Sequence, residues 1–188
     1  MIVRKKVGVV YFSKTDITAQ LVNSFIEGVD GNNQIEIIKQ RVSGKDIVEG
    51  RYVNMKAIDS LTSCDAIIFA TPTYMGGVSA QLKSFLDATS ELWCKQLWAG
   101  KFAAGITCGS ALNGDQSSTL QYLITFANQQ GMLWLGLDTP FGYTDEPVNR
   151  LGCQLGVTAQ SDGEMASKED LNTARYLGER MATIVGKN

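Results

Sequence analysis

Short β-branched runs alternate with stretches of helical periodicity along most of the chain. Val7-Gly-Val-Val-Tyr-Phe12 is a near-continuous apolar run, as expected for a strand covered on both faces. Behind it, Leu21, Val22, Phe25, Ile26 and Val29 fall on one face of a helix, with Gly28 and Gly31 near its end. Gln34–Lys39 predicts a second strand, and the polar stretch 41–63 holds one short helix around Met55–Leu61. Ala66-Ile-Ile-Phe-Ala70 is the clearest buried strand, followed by a helix over about 79–90 with Leu82, Phe85 and Leu86 inward. Lys101–Thr107 predicts a fourth strand, and residues 116–130 a helix carried by Leu120, Leu123, Ile124 and Ala127. Met132–Leu137 supplies the fifth strand. Ser167-Lys-Glu-Asp170 has the pattern of a helix start, and Leu171, Ala174, Leu177, Met181, Ile184 and Val185 line the last helix. Such alternation predicts an α/β fold, a parallel sheet with helices on both faces. With no repeat or linker, residues 1–188 are expected to form one domain.

Composition narrows the chemistry. Lys and Arg total 17 against 19 Asp and Glu, a net charge of −2, which gives no electrostatic reason to expect nucleic acid or an anionic membrane. There is no histidine, so any mechanism resting on a His base, ligand or pH switch is excluded. The four cysteines, Cys64, Cys94, Cys108 and Cys153, form no CxxC pair, and no metal site is expected. They read as small buried apolar residues in a reducing compartment. No signal-peptide pattern and no apolar stretch of membrane-spanning length is found, and a cytoplasmic location is expected.

In an open parallel sheet, ligands bind beyond the carboxyl ends of the strands where strand order switches. Three loops stand there. Ser13-Lys-Thr-Asp-Ile-Thr18 sets three hydroxyl residues around a helix N-terminus, a setting suited to a phosphate monoester or, more plainly, to N-capping. Thr71-Pro-Thr-Tyr-Met-Gly-Gly77 combines an extended Thr-Pro with two glycines that let backbone approach a flat ring. Cys108-Gly-Ser-Ala-Leu-Asn-Gly-Asp115 is polar and glycine-bearing, able to meet the ring's polar edge. Neither GxGxxG nor the Walker A pattern occurs, which argues against dinucleotide or NTP-hydrolysing folds.

At these loops the chain resembles the flavodoxin superfamily, and most closely the WrbA-type NAD(P)H:quinone oxidoreductases. The resemblance is carried by Tyr11–Thr18, by Asp65–Asp87, by Leu92-Trp93, by Gln129-Gln-Gly-Met132 and by Ala174–Glu179. It implies a flavodoxin-like three-layer fold with a five-stranded sheet of order 2-1-3-4-5. FMN is the implied cofactor, NAD(P)H the reductant and a quinone-like small molecule the acceptor. By the same resemblance Ser13, Thr15, Ile17 and Thr18 hold the phosphate. Thr71, Pro72, Thr73, Tyr74, Met75, Gly76 and Gly77 flank the ribityl chain and isoalloxazine. Cys108, Gly109, Ser110, Asn113 and Gly114 bind the pyrimidine edge. Trp93 comes near the ring from the same or a neighbouring subunit, and the family habit implies a homodimer or homotetramer.

The chain departs from that family at three places. The usual Gly of the phosphate loop is Asp16, whose carboxylate is expected to turn outward, away from a dianion. The family's His pair is Gln129-Gln130, so Gln130 is the candidate for orienting substrate but cannot act as an acid at neutral pH. The stretch after the second strand is shorter. Two alternatives stand beside the enzyme: an electron-carrier flavodoxin, and a flavin-poor interaction module that keeps only the fold. Trp98 and Trp134 are expected in the core or at subunit contacts. Tyr143 and the irregular Thr139–Gly156 stretch, with Arg150, border the site's mouth or form a covered surface loop.

Overall fold

A computed structural model describes residues 4–31, 35–139, 147–161 and 164–187. The apolar run at the start of the chain becomes β1 (Lys5–Tyr11), and α1 (Ile17–Asp30) follows it. Then come β2 (Ile35–Arg41), a hairpin of β3 (Ile47–Val48) and β4 (Arg51–Tyr52), and α2 (Met55–Thr62). β5 (Ala66–Tyr74) turns into β6 (Gly77–Val78), and α3 (Ala80–Ala88) and α4 (Ser90–Cys94) lead to β7 (Phe102–Gly109). The chain ends with α5 (Gly114–Gln129), β8 (Leu133–Trp134), β9 (Val157–Gln160) and α6 (Lys168–Lys187).

The parallel sheet runs β2-β1-β5-β7-β8, which is the expected order 2-1-3-4-5. The fifth row differs in one respect. Only Leu133–Trp134 ladder onto the start of β7 (Phe102 and Ala103), and β9 completes the row along Ile106–Gly109. The chain therefore leaves the sheet at mid-row and returns some twenty residues later, so Met132–Leu137 is not one continuous strand. Gln34 and Tyr143 lie outside the described residues.

Helices cover both faces, for the reason the periodicity gave. On one face Leu21, Val22, Phe25 and Val29 of α1 and Ala174, Leu177 and Met181 of α6 pack onto Val7, Val9, Ile68 and Ile106. On the other, Leu61, Phe85, Leu120 and Leu123 pack onto Val10, Ile67 and Phe69. Trp98 is fully buried there against Phe69 and Phe126, with its Nε1–H donating to Thr62 Oγ1 at 3.2 Å. Trp134 is half-buried and donates to the Leu155 carbonyl. Both indoles thus do structural work. No described helix is long and apolar enough to cross a membrane.

Candidate functional site

The three loops leave the carboxyl ends of β1, β5 and β7, which are neighbours in the sheet, so they meet on one edge. Thr18, in the first turn of α1, has its hydroxyl 3.3 Å from Cys108 Sγ, which joins the first loop directly to the third. Ser13 is buried and its Oγ accepts the Ala19 N–H at 3.3 Å, leaving the hydroxyl proton to donate elsewhere. The first-turn N–H groups of a helix have no intrahelical acceptor, so an anion placed here meets donors and the positive end of the dipole. Thr15 is exposed, while Ile17 is in the core and offers only its backbone.

Asp16 precedes α1 at φ 63°, a left-handed conformation that favours glycine, with Asp and Asn the usual exceptions. Its carboxylate does turn outward: the side chain is 71% exposed and lies 3.4 Å from Arg41 Nη2. Arg41 also donates to the Ser13 carbonyl at 3.0 Å. Arg41 sits opposite Tyr11 in the β1–β2 register, a position that no local pattern announces.

The second loop is a tight hairpin. Tyr74 pairs with Gly77 across a two-residue turn, Met75 at φ 48° and Gly76 at φ 75°. Positive φ at both central positions is the type I′ pattern, in which Asn-Gly is commoner than Met-Gly. Met75 is fully exposed and Tyr74 is 42% exposed. Thr71, by contrast, is committed to the fold: its Oγ1 accepts the Ser79 N–H at 3.0 Å, and Ser79 caps α3 through Leu82 N–H. Thr73 Oγ1 lies within 2.9 Å of both Thr107 and Thr119 Oγ1, so a knot of three hydroxyls fixes the strand end from behind.

Between the second and third loops opens a cleft of about 410 Å³ lined by Thr73, Met75, Gly76, Gly109, Ser110, Ala111, Asp115 and Gln116. The first five of these were expected from the sequence; Gln116 was not. It is fully buried, donates through Nε2 to the Ala111 carbonyl at 2.5 Å, and leaves Oε1 without a partner. A buried acceptor left unpaired costs about 1–3 kcal/mol. A ligand donor in the cleft removes that cost. A flat heterocycle with a phosphate tail fits this edge, with the tail at α1, backbone and hydroxyls along β5, and hydrogen-bonding groups on the third loop.

Asn113 and Gly114 start α5 and do not line the cleft; Asn113 Nδ2 donates to the Leu151 carbonyl. Trp93 and Gln130 stand elsewhere. Gly100 N–H donates to the Gly131 carbonyl and Leu133 N–H to that of Lys101, so Gln130 neighbours the residues that begin β7. Gln96 Nε2 reaches the carbonyls of both Trp93 and Gln129. The eight residues of β7 put this end of the sheet about 25 Å from the loops at the usual rise per residue. Gln130 is buried there with its amide donating to Thr89 Oγ1 at 2.8 Å. Within one chain, neither residue meets the cleft.

Arg150 is held by Asp170 through two contacts of 2.7 Å, and Asp170 also accepts the Gln160 N–H. It straps residues 147–153 to the start of α6. Burial pushes the Cys64 thiol up to about 11 and also raises Cys108, so neither is a thiolate nucleophile at neutral pH. Cys94, against expectation, is exposed. A native thiol titration should therefore show one fast-reacting thiol, with the others reacting only on unfolding; a fast second thiol would contradict this packing.

Comparison with known proteins bears on this edge. The family model described as NADPH-dependent FMN reductase matches residues 34–139. The flavodoxin FldP of Pseudomonas aeruginosa is 32% identical over 95% of this chain and 96% of its own. An NAD(P)H dehydrogenase (quinone) of Geobacter sulfurreducens is also 32% identical, over 95% of this chain and 97% of its own. The crystal structure of a flavodoxin-type, WrbA-like protein from Agrobacterium tumefaciens superposes with a TM-score of 0.75, at 34% identity, over 97% of this chain and 98% of that one.

Proposed function

The chain belongs to the NADPH-dependent FMN reductase family, and on that premise we propose that it binds FMN at the carboxyl edge and oxidises NAD(P)H to reduce quinone-like acceptors. The observation that carries the reading is the cleft between the second and third loops, with the first loop and its helix N-terminus on the same edge of the sheet. FMN, when bound, supplies the two-electron chemistry between nicotinamide and acceptor. The protein's part is placement. Ser13, Thr18 and the first turn of α1 hold the phosphate, and Arg41 offsets the Asp16 charge beside it. The Met75-Gly76 turn brings backbone against the ring, held by the hydroxyl knot behind Thr73. The third loop at residues 109–111 and Gln116 in the first turn of α5 meet the pyrimidine edge. Without histidine and with raised thiols at 64 and 108, proton supply falls to solvent and hydroxyl groups.

Trp93, exposed at the far end of the sheet, is proposed to reach a flavin only from a second copy, whereas Gln130 is buried and held by Thr89 in its own chain and is not proposed to orient substrate. A homodimer or homotetramer in the cytoplasm completes the reading. The relative named as a flavodoxin favours a second possibility, an electron carrier. One experiment separates them. The purified protein should show a yellow FMN spectrum and a mass of two or four chains, and should oxidise NADH or NADPH with benzoquinone as acceptor. FMN bound without turnover would overturn the enzyme and leave the carrier; a monomer with full turnover would overturn the shared site.

A further inference from the structure

Gln116 has an orientation that its surroundings dictate. The Ala111 carbonyl can only accept, so the amide end 2.5 Å from it is the nitrogen, and the other end is an acceptor with no donor. The room for this amide comes from Gly109: a Cβ there would sit 2.9 Å from Gln116 Nε2 and 3.2 Å from its Cδ. The polar edge of an isoalloxazine presents two carbonyls flanking one N–H, at N3. The carbonyls call for donors, which the backbone of residues 109–113 can supply. The N3–H calls for an acceptor. Of the other side-chain oxygens on the cleft wall, Thr73 Oγ1 is already held between two threonine hydroxyls, and the Ser110 and Asp115 side chains are in solvent and gain little by leaving it.

We propose that Gln116 Oε1 accepts the flavin N3–H, making Gln116 the residue that selects an N3-unsubstituted flavin. This rests on the FMN reading. It adds a recognition element that the loop sequences do not display, because Gln116 lies inside α5 and gains its meaning only from the contact at Ala111 and the space at Gly109.

The test measures binding of FMN and of 3-methyl-FMN to flavin-free full-length protein and to three variants, each checked by circular dichroism. The wild type should prefer FMN by about tenfold, the worth of one buried hydrogen bond. In Gln116→Leu, FMN affinity should fall about tenfold while 3-methyl-FMN affinity stays, so the preference collapses. Gly109→Ala should collapse it too, because its methyl group displaces the far end of a flexible side chain rather than backbone. Asp115→Ala, which removes the rival acceptor, should keep it. With ¹⁵N-labelled FMN, the bound N3–H signal should resist solvent exchange in wild type and lose that protection in Gln116→Leu. Equal loss for both flavins in Gln116→Leu would overturn the proposal, reducing the residue to a support for the loop. Loss of preference in Asp115→Ala would also overturn it, by moving the acceptor to Asp115. A wild type that binds both flavins equally would sink this inference alone; one that binds neither would take the FMN reading down with it.

Discussion

Gly178→Ala is expected to lower the thermal unfolding midpoint by about 6–12 °C, a stability effect that among single added methyl groups Gly28→Ala should match. Gly178 of α6 faces α1 so closely that an added Cβ would lie 2.1 Å from the Phe25 carbonyl oxygen and 3.1 Å from Gly28 Cα. Gly28 returns the contact, its own Cβ meeting the Arg175 carbonyl at 2.1 Å. Backbone cannot rotate aside as a side chain can, so the helices must separate. That unseats Leu21, Phe25, Leu177 and Met181 together and strains the Ser24 Oγ hydrogen bond to the Leu171 carbonyl. Overpacking of this kind costs about 3 kcal/mol, net of a helix-propensity gain of about 1 kcal/mol for Gly→Ala. Gly31→Ala is the control: φ is −54° and the nearest atom to its Cβ is 3.7 Å away, so it should be neutral or slightly stabilising. Because α1 begins at the phosphate loop, Gly178→Ala should also weaken FMN binding, whereas Gly31→Ala should not. Unchanged melting of Gly178→Ala, followed by differential scanning calorimetry, would mean the two helices do not touch in solution.

The same glycines show where sequence reading stops. Gly28 looks like the fraying end of a helix because its reason, Arg175, is remote in sequence. The run Ala66–Ala70 needs no such partner to be recognised: five consecutive apolar residues bounded by polar ones already state a strand buried on both faces. β9 is the reverse case. Val157-Thr-Ala-Gln160 is short and weakly patterned, and only its pairing with Ile106–Gly109 makes it the upper half of the fifth row. Within the site, loop residues were legible through their hydroxyls and glycines, since those types mark anion contacts and close backbone approach. Gln116 was not, because an amide in a helix reads as surface until burial leaves its oxygen unpaired. Thr71 was legible as a position but not as a role, its hydroxyl being spent on Ser79. Trp93 and Gln130 were placed by resemblance alone, and the fold holds both at the end of the sheet opposite the loops.

Arg41→Gln is expected to weaken FMN about fivefold while leaving riboflavin, which lacks the phosphate, nearly unchanged. The side chain has two tasks at this loop, screening the Asp16 carboxylate at 3.4 Å and fixing the Ser13 carbonyl at 3.0 Å. Both partners are largely exposed, so their pairing contributes at most about 1 kcal/mol, which sets the fivefold scale. Charge and backbone effects at Asp16 can be separated. Asp16→Asn removes the charge and keeps a residue that tolerates φ 63°, and it should tighten FMN a few-fold. Asp16→Gly removes the charge and the left-handed strain, so it should tighten FMN similarly and also raise stability by about 1 kcal/mol. The decisive quantity is the coupling. In the Asp16→Asn background, Arg41→Gln should cost FMN less than it does in wild type, because no uncompensated carboxylate then stands in the phosphate loop. High salt should compress all of these differences, since exposed charges are screened within about 10 Å at 0.1 M. An equal loss of riboflavin in Arg41→Gln, or a loss independent of residue 16, would mean Arg41 acts only by holding the Ser13 carbonyl. The departure from glycine at position 16 would then stand without electrostatic compensation.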